Sequence, residues 1–424
     1  MLRLNRAAVR QWNGARVCDP QRVRQAGRDR ESLARPEVRT CCGSIEPRSA
    51  RAWCIPMNEI LVPVKKLAAF CVACFEKLGV PAAHARLTAD NLIFANVRGV
   101  DSHGVIRLKI YVERLRAGGF KPKVRPKLVS DKPSSALLDA HHGIGQVAAM
   151  AAMKLAITKA RTTGAAVVSV RNSNHFGASA FYAMHAVERG MIGLACTNAG
   201  PSMAPTGGCA GRLGNNAIAI AVPAGESPPL VLDMATGAVA WGKIFVAQQK
   251  KQKIPTTWAL DKHGQPTDDP NAAAHQGLIQ PFGGYKGYGL SLFIDVLTGV
   301  LSGSGFSTHI NSLYQQIDKP SGIAHTCAAV RIDGFMPLAA FRRRMDEIIG
   351  LMRACPKAAG TERIFVPGEI EFEMERRRRA EGIPLNEELA GELKALAADL
   401  KVKFPGLGAA SPELVEGLRR PRRV

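Results

Sequence analysis

The chain has 424 residues, a length that favours two domains, and its 46% hydrophobic and 22% charged residues are typical of a globular protein. No apolar run reaches the roughly 18 residues that a membrane span needs, so we expect no membrane association. Ten cysteines are scattered rather than arranged as a disulfide framework, which favours reduced thiols and a cytoplasmic protein.

The formal net charge of +22 suggests nucleic-acid binding, but the basic residues are concentrated at the two ends of the chain. Residues 1–56 are rich in arginine, lack lysine and show no helical or strand periodicity. We predict that this extension is disordered, or lies outside the working protein. Residues 406–424 form a second basic tail. We therefore expect no nucleic-acid partner. The alternative, binding through these ends, predicts an affinity that falls steeply with salt.

Two amphipathic helices open the regular part of the chain. Apolar spacing predicts the first over residues 62–78, and a proline opens the second over residues 81–97. Cys71 and Cys74 form a C-x-x-C within the first helix. Because they lie on its apolar stripe and no second ligand pair follows, we predict core packing and no metal site.

The stretch from residue 98 to residue 119 combines a helix pattern with polar residues. Asp101 or Ser102 is expected to cap the helix, because a short side-chain oxygen accepts from the free N–H groups of the first turn. A glycine pair ends it. Residues 120–135, rich in proline and lysine, predict a connector. Four residues of the helix are expected to face a core: Ile106, Ile110, Val112 and Leu115.

Three polar side chains recur every four residues here, and so share one helix face: His103, Arg107 and Tyr111. Arginine binds a carboxylate through two parallel hydrogen bonds, and histidine exchanges a proton near neutral pH. The triplet therefore suits a small substrate that has a carboxylate beside a carbonyl or hydroxyl. Each residue also has an ordinary explanation as a capping or solvated side chain.

The pattern then changes to strands alternating with helices. Residues 136–140 and 165–170 are predicted strands with a helix between them, and Gly143 and Gly145 give Gly-x-Gly-x-x-Ala before that helix. The second strand ends in Arg171, not in the acidic residue that binds a ribose. We therefore expect the glycines to form a tight turn rather than a dinucleotide site.

Residues 172–177 place His175 in a loop after a strand, where functional residues often lie. A helix over 178–189 follows, and then come strands over 191–197, 218–223 and 230–234. Residues 281–289 form a glycine-rich loop that carries Lys286 into a helix over 290–301. Such a loop is a potential anion site, because N–H groups and the helix dipole both favour negative charge. The remaining predicted elements are a strand over 324–332, a helix over 339–353, a strand end and turn over 364–369, a charged helix to residue 381 and a helix over 387–400.

Eight motifs stand in one order along residues 57–401. They are Arg98-Gly-Val-Asp-Ser-His-Gly-Val-Ile-Arg-Leu, Asn174-His-Phe-Gly, Thr197-Asn, Arg212-Leu-Gly-Asn-Asn, Leu232-Asp-Met-Ala-Thr, Trp241-Gly-Lys-Ile, Gly284-Tyr-Lys-Gly-Tyr-Gly-Leu and Pro367-Gly-Glu. The set resembles the malate/L-lactate dehydrogenase family of the non-Rossmann type, which includes L-sulfolactate dehydrogenase, ureidoglycolate dehydrogenase and diketogulonate reductase.

The resemblance implies an α/β fold in which a large mixed sheet binds NAD or NADP without a Rossmann arrangement. It also implies a helical part built from both chain ends, and a homodimer. On this basis residues 57–124, completed by 335–405, would form the helical substrate and catalytic part. Residues 125–334 would form the cofactor-binding domain.

The resemblance also assigns site residues. His103 and His175 match catalytic positions, and Ser102, Arg107 and Tyr111 match substrate contacts. The positions that match nicotinamide-cofactor contacts are Asp233, Met234, Ala235, Thr236, Lys286, Gly368 and Glu369.

Two departures from the family pattern fall near the expected cleft. Members usually have Gly-Thr-Asn-Pro where this chain has Gly214-Asn-Asn-Ala217, and a small hydroxyl residue where Gly237 stands. Both concern the identity of the substrate. They also leave open the alternative that this protein binds the cofactor but has lost its activity.

The expected reaction is hydride transfer between the cofactor and a small 2-hydroxy or 2-oxo acid, with the carboxylate substrate held by Arg107. His103 would give or take the proton, and Lys286 would neutralise cofactor phosphate. An imino-acid reductase of the piperideine-2-carboxylate type, on the same scaffold, is the nearest alternative.

Overall fold

A computed structural model describes residues 59–275 and 277–406, so the predictions for the basic extension and tail lie outside the described residues. The strands of the described part are β1 (Glu59–Val62), β2 (Lys127–Asp131), β3 (Ser135–Asp139), β4 (Ala165–Ser173), β5 (Met191–Thr197), β6 (Ala217–Val222), β7 (Leu230–Met234), β8 (Ala259–Leu260), β9 (Pro266–Thr267), β10 (Leu278–Ile279), β11 (Ile323–Arg331) and β12 (Ile383–Asn386). Its α-helices are α1 (Val64–Lys77), α2 (Ala82–Val97), α3 (Leu108–Ala117), α4 (Gly145–Thr163), α5 (Ala180–Val187), α6 (Trp241–Gln249), α7 (Pro270–Ala274), α8 (Tyr285–Asp295), α9 (Leu338–Arg353), α10 (Glu369–Glu381) and α11 (Glu387–Leu400).

The largest sheet of the described residues has seven strands in the order β2-β3-β4-β11-β5-β6-β7. Strands β3 and β4 run parallel, and all its other neighbouring pairs are antiparallel. Strand β11, from the C-terminal half of the chain, lies between β4 and β5, so that Cys327 pairs with Val168 on one side and Ala195 on the other. The predicted α/β class with a large mixed sheet is confirmed.

The glycine motif lies in a β-α-β unit, because α4 connects the parallel strands β3 and β4. A crossover therefore forms where we expected only a turn. The glycines themselves serve close packing: a Cβ on Gly145 would lie 2.2 Å from the backbone oxygen of Asn174, and one on Gly143 would lie 3.1 Å from that of Ala140. The tight turn is present, inside a unit that the sequence pattern described only in part.

One apolar core joins the two ends of the described chain. Strand β1 pairs with β12, which places Val62 opposite Ile383. Cys71 and Cys74 are free thiols that are completely buried in this core, as predicted. Each buried aliphatic side chain stabilises the fold by about 1.5–3 kcal/mol, so the shared core holds the helical part together. Core residues from four helices include Leu67, Leu92, Leu108 and Leu393.

The third predicted helix is broken near its start. The chain forms separate 3-10 turns over Asp101–His103 and Val105–Arg107, and α3 begins only at Leu108. Gly104 between the turns is extended, and a Cβ there would lie 2.2 Å from the side-chain oxygen of Asn96. That oxygen accepts from the N–H of Val105 at 2.8 Å. The predicted continuous helix is therefore wrong at its start, because a hydrogen bond to the side chain of Asn96 takes the place of the regular backbone hydrogen bond.

Two further details of this region differ from expectation. Neither Asp101 nor Ser102 caps the helix; instead the carboxylate of Asp101 pairs with Arg378 at 2.6 Å. Ile106 is 49% exposed, whereas the other three apolar residues predicted to be buried are so. Gly118 has φ of 88° and ends the helix in the left-handed conformation, as predicted.

Most other elements appear with shifted ends. The sequence pattern missed β1 and β12, the exposed strand β2 within the predicted connector, and a small sheet of order β10-β8-β9. Residues 364–366 form no strand. Helix α8 begins at Tyr285, so Lys286 lies in its first turn and not in the preceding loop. Within the described residues, no helix is long and apolar enough to cross a membrane.

Candidate active site

A cavity of about 530 Å³ opens at one end of the strands of the seven-stranded sheet. Its floor is formed where the chain leaves β4, β5 and β7 and where it enters β6 and β11. These ends meet because the neighbouring strands are antiparallel. The volume lies within the range of small-molecule and cofactor sites.

Two other segments complete the cavity. The first runs from the end of α2 into the first 3-10 turn and contributes Phe94, Arg98, Ser102 and His103. The second is the turn before α10 and its first residues, and it contributes Gly368 among others. The cavity therefore lies between the sheet and segments from both ends of the described chain.

His103 and His175 lie next to each other in the cavity wall. Their rings are nearly parallel, with an angle of 17° and centroids 5.7 Å apart. The hydroxyl of Ser102 lies 3.0 Å from Nδ1 of His103. Burial, with a smaller contribution from the charge of Arg107, lowers the pKa of His103 to about 4. His103 is therefore neutral at pH 7 in the free protein.

His175 is anchored from behind by a chain of buried side chains. Its Nδ1 lies 2.6 Å from the hydroxyl of Tyr111, which is 3.1 Å from Nε2 of Gln146. The N–H of Gly177 also points at Nδ1, at 3.3 Å. Burial and the nearby charge of His103 hold the pKa of His175 well below its usual value.

Arg107 and Tyr111 lie behind the two histidines and are not among the residues that line the cavity. Nε of Arg107 donates to the carbonyl of Ser102 at 2.6 Å, and its guanidinium lies 5.6 Å from the ring centre of Tyr314. Among the described residues, neither Nη atom of Arg107 has a hydrogen-bond partner. Both NH2 groups are therefore available for a carboxylate.

Asp233 lines another part of the cavity wall, at the end of β7. Its Oδ2 accepts from the N–H of Ala180 at 3.1 Å. Burial raises the pKa of Asp233 to about 6, against the lowering effect of Arg98, and Glu371 raises it further. Arg98 is itself buried and is paired with Glu375 at 3.2 Å.

The other predicted cofactor residues divide into two groups. Met234, Ala235 and Gly368 line the cavity with Asp233. Thr236, Lys286 and Glu369 do not. Thr236 is completely buried, and Lys286 is exposed.

Glu369 has partners of its own outside the cavity. Its carboxylate accepts from the N–H of Val366 at 3.1 Å and pairs with Arg353 and Arg363. These contacts fix the turn that brings Gly368 into the cavity wall.

Sequence reasoning missed Phe94, Arg98 and Glu371, all of which line the cavity. Arg98 opens the motif that contains His103, and that position was an available signal. Glu371 lies in a helix so rich in charge that it was indistinguishable from a solvated surface. Asn215 and Ala217, where the chain departs from the family pattern, also line the cavity.

A pocket whose wall combines two neutral imidazoles with a carboxylate is typical of an enzyme site for a small molecule. Comparison with known proteins identifies the class of enzyme. Residues 62–394 match the family model described as malate/L-lactate dehydrogenase. The chain belongs to this family.

Individual relatives agree with this assignment. Malate dehydrogenase of Pyrococcus abyssi is 42% identical over 353 residues, which cover 82% of this chain and 96% of that protein. L-sulfolactate dehydrogenase of Methanocaldococcus jannaschii is 40% identical over 77% of this chain and 93% of that protein. The solved structure of sulfolactate dehydrogenase from that organism matches with a TM-score of 0.77 and 37% identity, over 81% of this chain and 98% of that chain.

Proposed function

We propose that this protein is an NAD(P)-dependent oxidoreductase that transfers hydride between nicotinamide and a small 2-hydroxy or 2-oxo acid. The observation that carries the proposal is the pair of nearly parallel imidazoles, with centroids 5.7 Å apart, which line the same cavity as the end of β7. Relatives are named for both cofactors, as ureidoglycolate dehydrogenase (NAD(+)) and (2R)-3-sulfolactate dehydrogenase (NADP(+)).

The residues present fit a nicotinamide cofactor. Asp233, Met234, Ala235 and Gly368 line the same cavity as the histidines and would contact it. When bound, the cofactor supplies or accepts the hydride. We do not place Thr236, Lys286 or Glu369 in contact with it: Thr236 is completely buried, Lys286 is exposed, and Glu369 is paired with Arg353 and Arg363.

Arg107 would bind the substrate carboxylate through its two free NH2 groups, because a planar guanidinium matches two carboxylate oxygens. Holding the acid at one end fixes the reacting carbon, which is a gain in positioning. Ser102, whose hydroxyl lies 3.0 Å from His103, would contact the same end of the substrate.

His103 would exchange the proton. As a neutral imidazole it can take the hydroxyl proton when a hydroxy acid is oxidised. In the direction of reduction His103 must carry a proton in the complex, and the bound carboxylate would favour this because it offsets the charge of Arg107. General acid–base groups contribute about 10²–10⁴-fold to rate.

The direct test uses purified protein with NADH and with NADPH, against a panel that includes oxaloacetate, pyruvate and sulfopyruvate. We expect loss of absorbance at the reduced-cofactor band with at least one 2-oxo acid. Absence of turnover with every 2-oxo acid would refute the proposal.

A second candidate is reduction of a cyclic imino acid. It is favoured by a solved Δ1-piperideine-2-carboxylate reductase of Pseudomonas syringae pv. tomato, which matches with a TM-score of 0.72 and 28% identity. Piperideine-2-carboxylate in the same assay separates the two. A higher kcat/KM for piperideine-2-carboxylate than for every 2-oxo acid would favour the imino-acid reductase, and the reverse would favour the 2-hydroxy-acid dehydrogenase.

We also propose that the protein is a cytoplasmic homodimer. Each subunit would have a helical part, made of residues 57–124 and 335–405, and a cofactor-binding domain, made of residues 125–334. Two observations support association between copies: Phe293 and Leu301, on α8 and its continuation, are 57% and 62% exposed. Buried free thiols such as Cys196 and Cys327 suit a reducing compartment. Light scattering behind a sizing column gives the number of subunits.

A further inference from the structure

The hydrogen bonds behind His175 carry an inference that rests on the proposed function and goes beyond it. We propose that Gln146, acting through Tyr111, holds His175 in the tautomer with its proton on Nε2. His175 would then donate a hydrogen bond to the substrate oxygen without giving up its proton, and His103 alone would exchange it. Gln146 and Tyr111 are positioning residues in this arrangement.

The direction of the hydrogen bonds follows from one fixed donor. The N–H of Gly177 can only donate, and it points at Nδ1 of His175 at 3.3 Å. Nδ1 is therefore an acceptor. The hydroxyl of Tyr111, 2.6 Å from the same nitrogen, must then donate to it, because two lone pairs would otherwise face each other at that distance.

The side-chain amide of Gln146 must be the donor to Tyr111. A tyrosine hydroxyl has one hydrogen, which is used on His175, so Tyr111 accepts from Gln146. The amide nitrogen of Gln146 is 3.1 Å from that hydroxyl oxygen. Gln146 is completely buried, and its Oε1 has no partner within the described residues. An unpaired buried acceptor costs free energy, so Gln146 is not explained by stability alone. Its donor role toward Tyr111, and through Tyr111 toward His175, explains why a glutamine is present at this position.

The proton of His175 consequently lies on Nε2, on the ring edge away from Tyr111. That nitrogen has no hydrogen-bond partner among the described residues, and His175 lines the cavity. It is therefore free to donate to a ligand. Preorganised donors of this kind stabilise the negative charge that develops on a carbonyl oxygen during reduction.

The charges around His175 support a division of labour between the two histidines. Burial lowers the pKa of His175 most, and a positive charge on any of four nearby side chains, His103, Arg107, His325 and Arg114, lowers it further. Two stacked imidazoles also disfavour a double cation. In reduction, the bound cofactor would supply hydride to the carbonyl carbon and the π electron pair would move to oxygen. That oxygen would take a proton from His103, which must enter the step as the imidazolium and becomes neutral. The Nε2–H of His175 stays on nitrogen throughout.

The first experiment is a nitrogen NMR spectrum of the full chain labelled with ¹⁵N-histidine, with the His175 signals assigned from a His175→Gln variant. We expect Nδ1 of His175 to give the shift of an unprotonated nitrogen at neutral pH, and Nε2 that of a protonated one. The opposite tautomer would overturn the inference. This measurement needs no turnover, so it stands even if the proposed function fails.

The second experiment compares variants of Gln146. Gln146→Met keeps the volume but removes the donor, and we expect kcat to fall by about tenfold while KM changes by less than about threefold. An ionised Gln146→Glu side chain replaces the donor with an acceptor, so Tyr111 turns toward it. Nδ1 of His175 then keeps only the N–H of Gly177 as a donor, and we expect the share of the Nε2-protonated form in the spectrum to fall.

A matched control separates this effect from a general loss of stability. Thr298 is completely buried, lies outside the cavity, and donates to the carbonyl of Ile294 at 2.7 Å. Thr298→Val should lower the melting temperature but keep kcat. Wild-type kcat and an unchanged spectrum in Gln146→Met would overturn the inference. An inactive wild type refutes the proposed function instead, and if Gln146→Met does not fold, the wild-type spectrum decides.

Discussion

The two walls of the cavity respond to burial in opposite chemical senses. On the histidine wall, burial lowers the pKa of His103 to about 4. On the carboxylate wall, burial raises the pKa of Asp233 to about 6. In both cases the low-polarity surroundings favour the neutral form. Burial thus opposes charge on both walls. Arg98 lines the cavity but is paired with Glu375, which leaves Arg107, beside the histidines, as the cation for an acid substrate.

Removing the imidazole of His103 tests the histidine wall most severely. We expect His103→Ala to lower kcat by about 10²–10⁴-fold, because the proton then has no positioned donor or acceptor. Binding of NADH or NADPH, measured by fluorescence titration, should survive. His263→Ala, an exposed histidine away from the cavity, serves as the matched control and should keep wild-type kcat. Near-normal turnover in His103→Ala would contradict the assignment of proton exchange to the histidine wall.

Arg107→Lys tests whether the cation behind the histidines binds the carboxylate. A point charge cannot reproduce the two parallel hydrogen bonds, so we expect KM for the acid to rise by about tenfold or more, with a smaller change in kcat. Steady-state kinetics at saturating cofactor measures both. Arg86→Lys, in an exposed pair with Asp90, should leave KM unchanged. An equal KM in the two variants would show that the substrate anion binds elsewhere.

The helix break at Gly104 tests how the histidine wall is held. Because a Cβ would lie 2.2 Å from Oδ1 of Asn96, we expect Gly104→Ala to lower the free energy of unfolding by about 1–3 kcal/mol. Gly391→Ala, in α11 with no atom near the added carbon, should instead stabilise the protein by about 0.5–1 kcal/mol. Urea denaturation measures both. Equal stability of the two variants would mean that the break is not required.

Asp233→Asn gives the smallest expected effect and tests the carboxylate wall. The pKa of Asp233 in the folded protein is about 6, above the ordinary 3.8, so its ionised form destabilises the fold. This penalty is absent below pH 3.8 and grows as pH rises through 6. The variant should therefore melt at a higher temperature than wild type at pH 7, and at the same temperature near pH 4. A difference that does not change with pH would contradict this account.

Sequence patterns predicted the elements that depend on local periodicity. Helices α1, α2 and α11 and strands β5 and β7 appear close to their predicted ends, because their apolar spacing is complete within one segment. The four-residue strands β1 and β12 were missed, since each is stabilised by a partner more than three hundred residues away. Strand β2 was missed because all of its residues are exposed and its composition resembles a loop.

The site was predictable to a similar extent. Matching motifs identified His103 and His175 as residues of one site, and the structure places them side by side. The contact between Asn96 and Gly104 that breaks the helix could not be predicted, because it depends on the approach of α2. Nor could the link from Gln146 to His175, since these residues come together only when α4 packs beside the loop after β4.

The central place of β11 has a consequence for how the protein is made. Strands β4 and β5 follow each other in the chain but are not neighbours in the sheet; the gap between them is filled by residues 323–331. A nascent chain that has left the ribosome as far as β7 therefore has two half-sheets with unpaired edges, and such edges are prone to pair with other chains. Strand β11 joins the two halves, and the cavity is complete only when residues 365–371 have also been made, so we expect the site to form late in translation.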